Sequence, residues 1–260
     1  MTSGVYCLIL GIAYRKNAEV FVMPEIRAQR IEFLLAMLAC WLLASSVACA
    51  SEEAVDQATE AALALDVHPD RGATQYVRYC ARCHGSQAQG DAGRAIPNLA
   101  SQRFTYLVRQ LANFAGGERD SDTMHQVLSR KDLREPQTWV DIAAYLNKTA
   151  PLKNVQTGDG VDLGLGRGIF HEQCASCHRA DAHGNGDGYV PSLRNQHFAY
   201  LVVQMHKIGE GNRHNVDENL MRFLHSFDDR DMNATADFLS RLHGPGAVRK
   251  IMRNDGVVVD

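Results

Sequence analysis

Apolar residues fall on one helical face twice, with the same spacing. Phe104, Leu107, Val108, Leu111 and Phe114 follow i, i+3, i+4, i+7, i+10, and Phe198, Leu201, Val202, Met205 and Ile208 repeat the series 94 residues later. That period predicts an amphipathic helix with one buried stripe in each place. Gly116-Gly117 and Gly209 are the stop signals. A later helix in the first half opens at Pro136, suited to a first turn, and carries Trp139, Ile142, Ala143 and Leu146. Its partner in the second half carries Phe238, Leu239 and Leu242, with Asp231 as a candidate cap. Helices over Gly72 to Cys83 and Gly166 to Cys177 bring the set to three per half. No stretch alternates with the period of a strand, so the fold class is all-α.

The offset of 94 extends well beyond the helices. Tyr76 pairs with Phe170, Gly90 with Gly184, Pro97 with Pro191, Leu99 with Leu193, Gln102 with Gln196 and Arg119 with Arg213. Two copies are a duplicated domain, since solenoid arrays need three or more. The boundaries follow from composition. Residues 67–150 and 160–244 are the two domains, and 151–159 is a polar linker with Pro and Gly. Residues 51–66 are alanine-rich and read as a tether or a short helix, and 245–260 as a tail whose Arg249, Lys250 and Arg253 are solvated charge.

The repeat carries its chemistry in Cys80-Ala81-Arg82-Cys83-His84 and Cys174-Ala175-Ser176-Cys177-His178. C-x-x-C-H is the attachment signature of a c-type haem. Two thiols on one helical turn can bond the two vinyl groups of one porphyrin, and the adjacent histidine then supplies an axial ligand to the iron. A zinc ribbon needs its two knuckles about 15–20 residues apart, far closer than 94. A thioredoxin-like motif needs a βαβ setting, which is absent. Cys80, Cys83, Cys174 and Cys177 are thus the expected attachment points of two covalent haems, with His84 and His178 as iron ligands.

Charge and the remaining cysteines add a compartment. The formal net charge of −3 gives no basic balance for nucleic acid, and 22% charged with 45% hydrophobic residues is ordinary globular composition. Cys7, Cys40 and Cys49 all lie in the first 50 residues, which read as a leader. Translation from Met23 would give a basic segment (Arg27, Arg30), a short apolar run from Phe33 to Leu43 and an Ala48-Cys49-Ala50 cleavage site. Lipidation at Cys49 and an uncleaved anchor are the alternatives. Removing the leader leaves no thiol outside the motifs, which suits an oxidising compartment such as the periplasm.

The second axial ligand separates a carrier from a catalyst, because a methionine favours electron transfer and an open iron can bind peroxide. In the first half Met124 and His125 follow the amphipathic helix in what reads as a loop, and Met124 is preferred. In the second half the offset lands on Glu218, and Met221 is the nearest methionine, so a loop three residues longer is expected. His206, His214 and His225 compete there, while Met205 and Met232 read as core. Pro97 and Pro191, each thirteen residues after its histidine, are expected to offer carbonyls to the imidazole rings. Arg119 and Arg213 suit haem propionates or plain solvation.

Taken together, the two motifs resemble the di-haem cytochrome c4 family. The matching residues are Pro97-Asn98-Leu99 with Gln102, Tyr106-Leu107-Val108-Arg109-Gln110-Leu111, Gly117-Glu118-Arg119 and Met124, and in the second half Pro191-Ser192-Leu193, Gln196, Tyr200-Leu201-Val202-Val203-Gln204 and Gly211-Asn212-Arg213. The resemblance covers about Gly72 to Leu242. It implies two tandem class I cytochrome c domains, and electron transfer in the periplasm from a cytochrome bc complex or a dehydrogenase to a terminal oxidase or reductase. Membrane association would come through those partners or an uncleaved leader. The loop before Met221, the insert around Arg134-Glu135-Pro136 and the tail depart from the pattern. Two other readings stay open: a di-haem enzyme, either a peroxidase or a thiosulfate dehydrogenase, and a haem subunit of a dehydrogenase complex. Peptide mapping of the purified protein is expected to start near Ser51 with no acyl group; recovery of peptides from residues 1–22 would overturn the leader assignment.

Overall fold

Each half closes where two helices cross at a glycine. In the computed structural model, which describes residues 52–243 apart from 153 and 214, α1 spans 52–63, α2 Pro69–Tyr79 and α3 Ala81–His84. They are followed by α4 (Phe104–Gly116), α5 (Asp122–Leu128) and α6 (Pro136–Lys148). The second half repeats the order with α7 (Leu163–Ile169), α8 (Ala175–His178), α9 (Phe198–Gly209), α10 (Glu218–His225) and α11 (Asp229–Ser240). Strand structure among the described residues is limited to two isolated bridges, Asp91 with Ile96 and Asn185 with Val190. The expected leader and tail lie outside the described residues.

At the crossing of α2 and α6, a Cβ on Gly72 would stand 1.9 Å from the Asp141 carbonyl oxygen; at that of α7 and α11, a Cβ on Gly166 would stand 1.9 Å from that of Ala234. Only glycine permits backbones this close. Asp141 then locks the first crossing. It is fully buried, accepts from His68 N–H at 2.8 Å and Gln137 Nε2 at 3.1 Å, and pairs with Arg71. Asp237 takes the corresponding role by accepting from Gly158 and Gly160 N–H at 2.9 and 2.7 Å and from Arg241. Two cores result. One is built on Tyr76, Leu107, Val108, Trp139, Val140, Ile142 and Leu146, the other on Phe170, Leu201, Phe238, Leu239 and Leu242.

Three expectations need correcting, and one alternative is decided. The alanine-rich segment is a helix rather than a tether, because Val55, Thr59 and Ala62 provide a face that the first core buries. The first long helix of each half breaks at the first cysteine of its motif: α2 ends before Cys80, and α7 passes into a π turn over Phe170–Cys174. Met124 and Met221 lie in short helices instead of loops, since Ser121 and Asp217 cap the first turns by accepting from Met124 and Asn219 N–H. The cap of α11 is Asp228, which accepts from Asp231 N–H at 2.9 Å. Pro136 does open α6, and α4 stops at Gly117 with φ 85°.

The glycine crossings give a signed prediction. Gly72→Ala and Gly166→Ala should each destabilise by about 2–3 kcal/mol or more through overpacking. Gly168→Ala, whose Cβ meets nothing within 4 Å, should stabilise by up to about 1 kcal/mol through helix propensity. Denaturant midpoints of the three variants check both signs.

Candidate functional site

The turn after each histidine is built the same way in both halves. Gly90 N–H donates to His84 O at 2.8 Å and Gly184 N–H to His178 O at 2.9 Å. Leu99 N–H donates to Ala88 O and Leu193 N–H to Ala182 O, both at 2.8–2.9 Å. Even the left-handed residues match, with Ala88, Ala95 and Ser101 (φ 59°, 50°, 61°) repeated at Ala182, Tyr189 and Asn195 (φ 57°, 54°, 52°). Such backbone is held only where surrounding contacts over-determine it.

These turns aim a carbonyl at each ring. Nδ1–H of His84 donates to Pro97 O at 3.2 Å, and Nδ1–H of His178 to Pro191 O at 3.0 Å. Burial lowers the pKa of both imidazoles, and the proline carbonyls only partly oppose it. Each ring is therefore neutral with its proton on Nδ1. Among the described residues neither Nε2 has a hydrogen-bond partner, so each offers a lone pair to a metal. The thiols point the same way. Burial pushes Cys80 up to about 12 and Cys174 up to about 11. A redox or metal-thiolate site favours lowered thiol pKa values, whereas a thioether needs no thiolate in the folded protein. The donor set thus fits a covalently held haem in each half.

Met124 sits in the first turn of α5, half-buried against the first core. Met221 is half-buried in α10, but it is not the structural counterpart of Met124. The caps Ser121 and Asp217, and the buried Leu128 and Leu224, are 96 residues apart. Met124 therefore aligns with Leu220, and Met221 lies one residue on, about 100° further round the helix. The loop is two residues longer, where three were expected. Of the competing residues, His125 and His225 meet the Phe114 and Gly209 carbonyls through Nδ1 at 3.1 and 3.0 Å, which leaves Nε2 open as it is at His84 and His178, and His206 lies 3.7 Å from Asp229. Met205 packs on the second core and Met232 is buried. His214 lies outside the described residues.

Between the halves lies a feature that residue patterns did not reveal. Gln102 reaches into the second half, where Nε2–H donates to Ser192 O at 2.9 Å and Oε1 accepts from Ser192 N–H at 2.8 Å. Gln196 returns the contact, donating to Asn98 O at 3.0 Å and accepting from Asn98 N–H at 2.9 Å. Each glutamine acts as a detached peptide group on the residue next to the other half's ring-holding proline. Arg103 donates to the His183 and Gly184 carbonyls, and its counterpart His197 donates from Nε2 to Gln89 O at 2.7 Å. The repeat of Gln102 at Gln196 was the available signal, but a duplicated residue in a duplicated domain does not say that it faces its twin.

Arg119 and Arg213 are buried at this interface, 7% and 8% exposed, and not solvated. Arg119 donates to Gln110 Oε1 at 2.5 Å, and to Tyr200 Oη and Gln204 Oε1 at 2.9 Å. Arg213 donates to Gln204 Oε1 at 2.8 Å and Tyr106 Oη at 3.4 Å. Burial raises the Tyr106 hydroxyl, but the two guanidiniums outweigh it and hold the group below its ordinary value. Every one of these partners is formally neutral.

Comparison with known proteins agrees with this geometry. Residues 164–243 match the family Cytochrome c, and residues 68–149 the family described as Cytochrome C oxidase, cbb3-type, subunit III. A thiosulfate dehydrogenase electron acceptor of Stutzerimonas stutzeri is 26% identical over 70% of this chain and 88% of its own length. Cytochrome c4 of Azotobacter vinelandii is 27% identical over 63% of this chain and 84% of its own. The crystal structure of reduced recombinant cytochrome c4 from Pseudomonas stutzeri superposes with a TM-score of 0.61 and 26% identity, covering 68% of this chain and all of that one. The fold and its two sites define a tandem class I cytochrome c that binds two covalent haem c groups and transfers electrons. Along both halves the chain is similar to the di-haem cytochromes c4.

The glutamine contacts predict a cost in both directions. Gln102→Ala and Gln196→Ala should each lose about 2–4 kcal/mol, because each strands a buried N–H and C=O in the opposite half. Chemical denaturation of the holoprotein measures this, and a change under about 0.5 kcal/mol, the usual size at an uninvolved surface site, would show that the contacts do not hold the halves.

Proposed function

We propose that this protein is a periplasmic electron carrier that receives electrons from a cytochrome bc complex or a dehydrogenase and delivers them to a terminal oxidase or reductase. The observation that carries the reading is the twice-built histidine: neutral, buried, protonated on Nδ1 and held by a proline carbonyl. In this reading Cys80 and Cys83 would hold one haem and Cys174 and Cys177 the other, with His84 and His178 as iron ligands. Met124 and Met221 complete the two iron sites. When bound, each haem supplies a one-electron centre whose potential follows its axial ligands and its burial. The chain's own part is to fix the ring tautomers, exclude water and place charge. Arg119 and Arg213, buried beside neutral partners, suit haem propionates as counter-charge. The absence of any acid–base constellation in the sequence supports a carrier over an enzyme. The name of the Stutzerimonas relative, an electron acceptor of thiosulfate dehydrogenase, favours a dehydrogenase on the donor side.

The ligand assignment is open to direct test. Thioether sulfur stabilises ferrous iron relative to imidazole, so Met124→His and Met221→His should each lower one of two potentials and leave the other nearly unchanged. The weak sulfur-to-ferric-iron absorption band should halve in each and vanish in the double variant. A Met221→His protein with both potentials and the full band intact would remove Met221 from the second site.

A further inference from the structure

The duplication supplies an internal control for the surface beside each pair of cysteines: four basic positions of the first half have acidic or neutral counterparts in the second, where Arg179, in place of Gly85, is the one base added next to the motif. In the first half, Arg78 lies in the last turn of α2, two residues before the motif, and Arg82 lies within the motif. Arg78 is 67% exposed and sits 4.8 Å from the centre of the Tyr79 ring; Arg130 approaches the same ring at 6.0 Å. Tyr79 O–H donates to Asp132 at 2.6 Å, which ties the 130–132 segment to the end of α2. Arg78 and Arg130 thus flank Tyr79 on one exposed patch with Asp132 as its acid, and the exposed Arg82 and Lys131 stand close to it along the chain. The counterparts of Arg78 and Arg82 are Glu172 and Ser176, and in the register of the capped helices those of Arg130, Lys131 and Asp132 are Ser226, Phe227 and Asp228. The contrast extends to the whole halves: residues 67–150 hold eleven basic and eight acidic side chains, residues 160–244 eight and eleven.

We propose that the face formed by Arg78, Tyr79, Arg82, Arg130 and Lys131 is the docking surface for a redox protein with an acidic face, and that the second half does not share this partner. The proposal rests on the assignment of Cys80 and Cys83 as haem attachment points. Charge of one sign next to a redox centre steers an oppositely charged partner to that centre and raises the association rate. An arginine–tyrosine cluster is the composition of protein interfaces, where Arg and Tyr are enriched and Lys depleted, and it favours a protein over a lipid surface. Because the same positions in the second half are acidic or neutral, the two haems present different faces to partners, and electrons enter and leave by electrostatically distinct ends.

The test uses the reduced, diamagnetic holoprotein, labelled with nitrogen-15 and titrated with two redox-inert paramagnetic ions, hexacyanochromate(III) and hexaamminechromium(III). The anion is expected to broaden amides of residues 78–83 and 130–132 and to spare residues 172–177. Arg78→Glu with Arg82→Glu should weaken its binding at least threefold. The cation is expected to avoid the first face. Poly-L-glutamate, standing in for an acidic protein face, should displace the anion at lower charge concentration than vesicles of phosphatidylglycerol and phosphatidylcholine. Equal broadening of both halves, or broadening unmoved by the double variant, overturns the docking face; stronger displacement by vesicles overturns the protein partner in favour of a membrane. Haem content is read separately from the absorption spectrum, so failure of attachment at Cys80 and Cys83 is distinguishable from failure of docking.

Discussion

The reciprocal glutamine contacts at the centre of the molecule are the constraint on which the two sites depend. Gln196 holds both backbone groups of Asn98, whose neighbour Pro97 gives its carbonyl to His84; Gln102 does the same for Ser192, next to Pro191 and His178. The turn that fixes each imidazole is thereby finished by the opposite half. Buried backbone groups left unpartnered cost far more than the same groups paired, so separating the halves would loosen both rings together. This gives a physical reason for the halves to remain one unit despite a polar linker.

Within each half a second constraint sets the frame. Gly72 and Gly166 let the crossing helices touch backbone to backbone, and a buried carboxylate, Asp141 or Asp237, then collects the nearby N–H groups and an arginine. The large aromatic that follows, Tyr76 or Phe170, is fully buried beneath the motif. Tyr76 adds a hydrogen bond to Gly85 O at 2.6 Å, directly after His84, which Phe170 cannot make. Both aromatics pack on a further ring, Tyr76 on Tyr145 and Phe170 on Phe238, and the second half alone enters its first cysteine through a π turn. The two sites are thus equivalent at the histidine and differ at the approach to the cysteines and at the methionine.

That inequality matters for a two-centre carrier. Identical sites would have identical intrinsic potentials; here Met124 and Met221 stand at different angular positions on their helices, and four basic positions near the first motif have acidic or neutral counterparts near the second. Ligand geometry, burial and nearby charge are the means by which a protein sets a haem potential. Duplication followed by divergence at these positions gives the two halves different surroundings, while the proline–histidine turn is the same in both.

Helix type, the duplication, the attachment motifs and the proline acceptors were all legible in the sequence, because each is a local rule: a period, a fixed offset, two thiols on one turn, a residue lacking a donor. The buried stripe of Phe104, Leu107 and Val108 and the thirteen-residue spacing of His84 and Pro97 needed no knowledge of distant partners. What the sequence left undecided depended on contacts remote along the chain. The alanine-rich segment became a helix because the first core covers Val55 and Ala62. Arg119 and Arg213 became interior because Tyr200 and Tyr106 of the opposite halves meet them. The register of Met221 depended on a cap at Asp217 and a buried Leu224 that counting from Met124 does not see. Gln102 and Gln196 look like any exposed glutamine until the halves are brought face to face, for a side-chain amide finds its partner only in three dimensions.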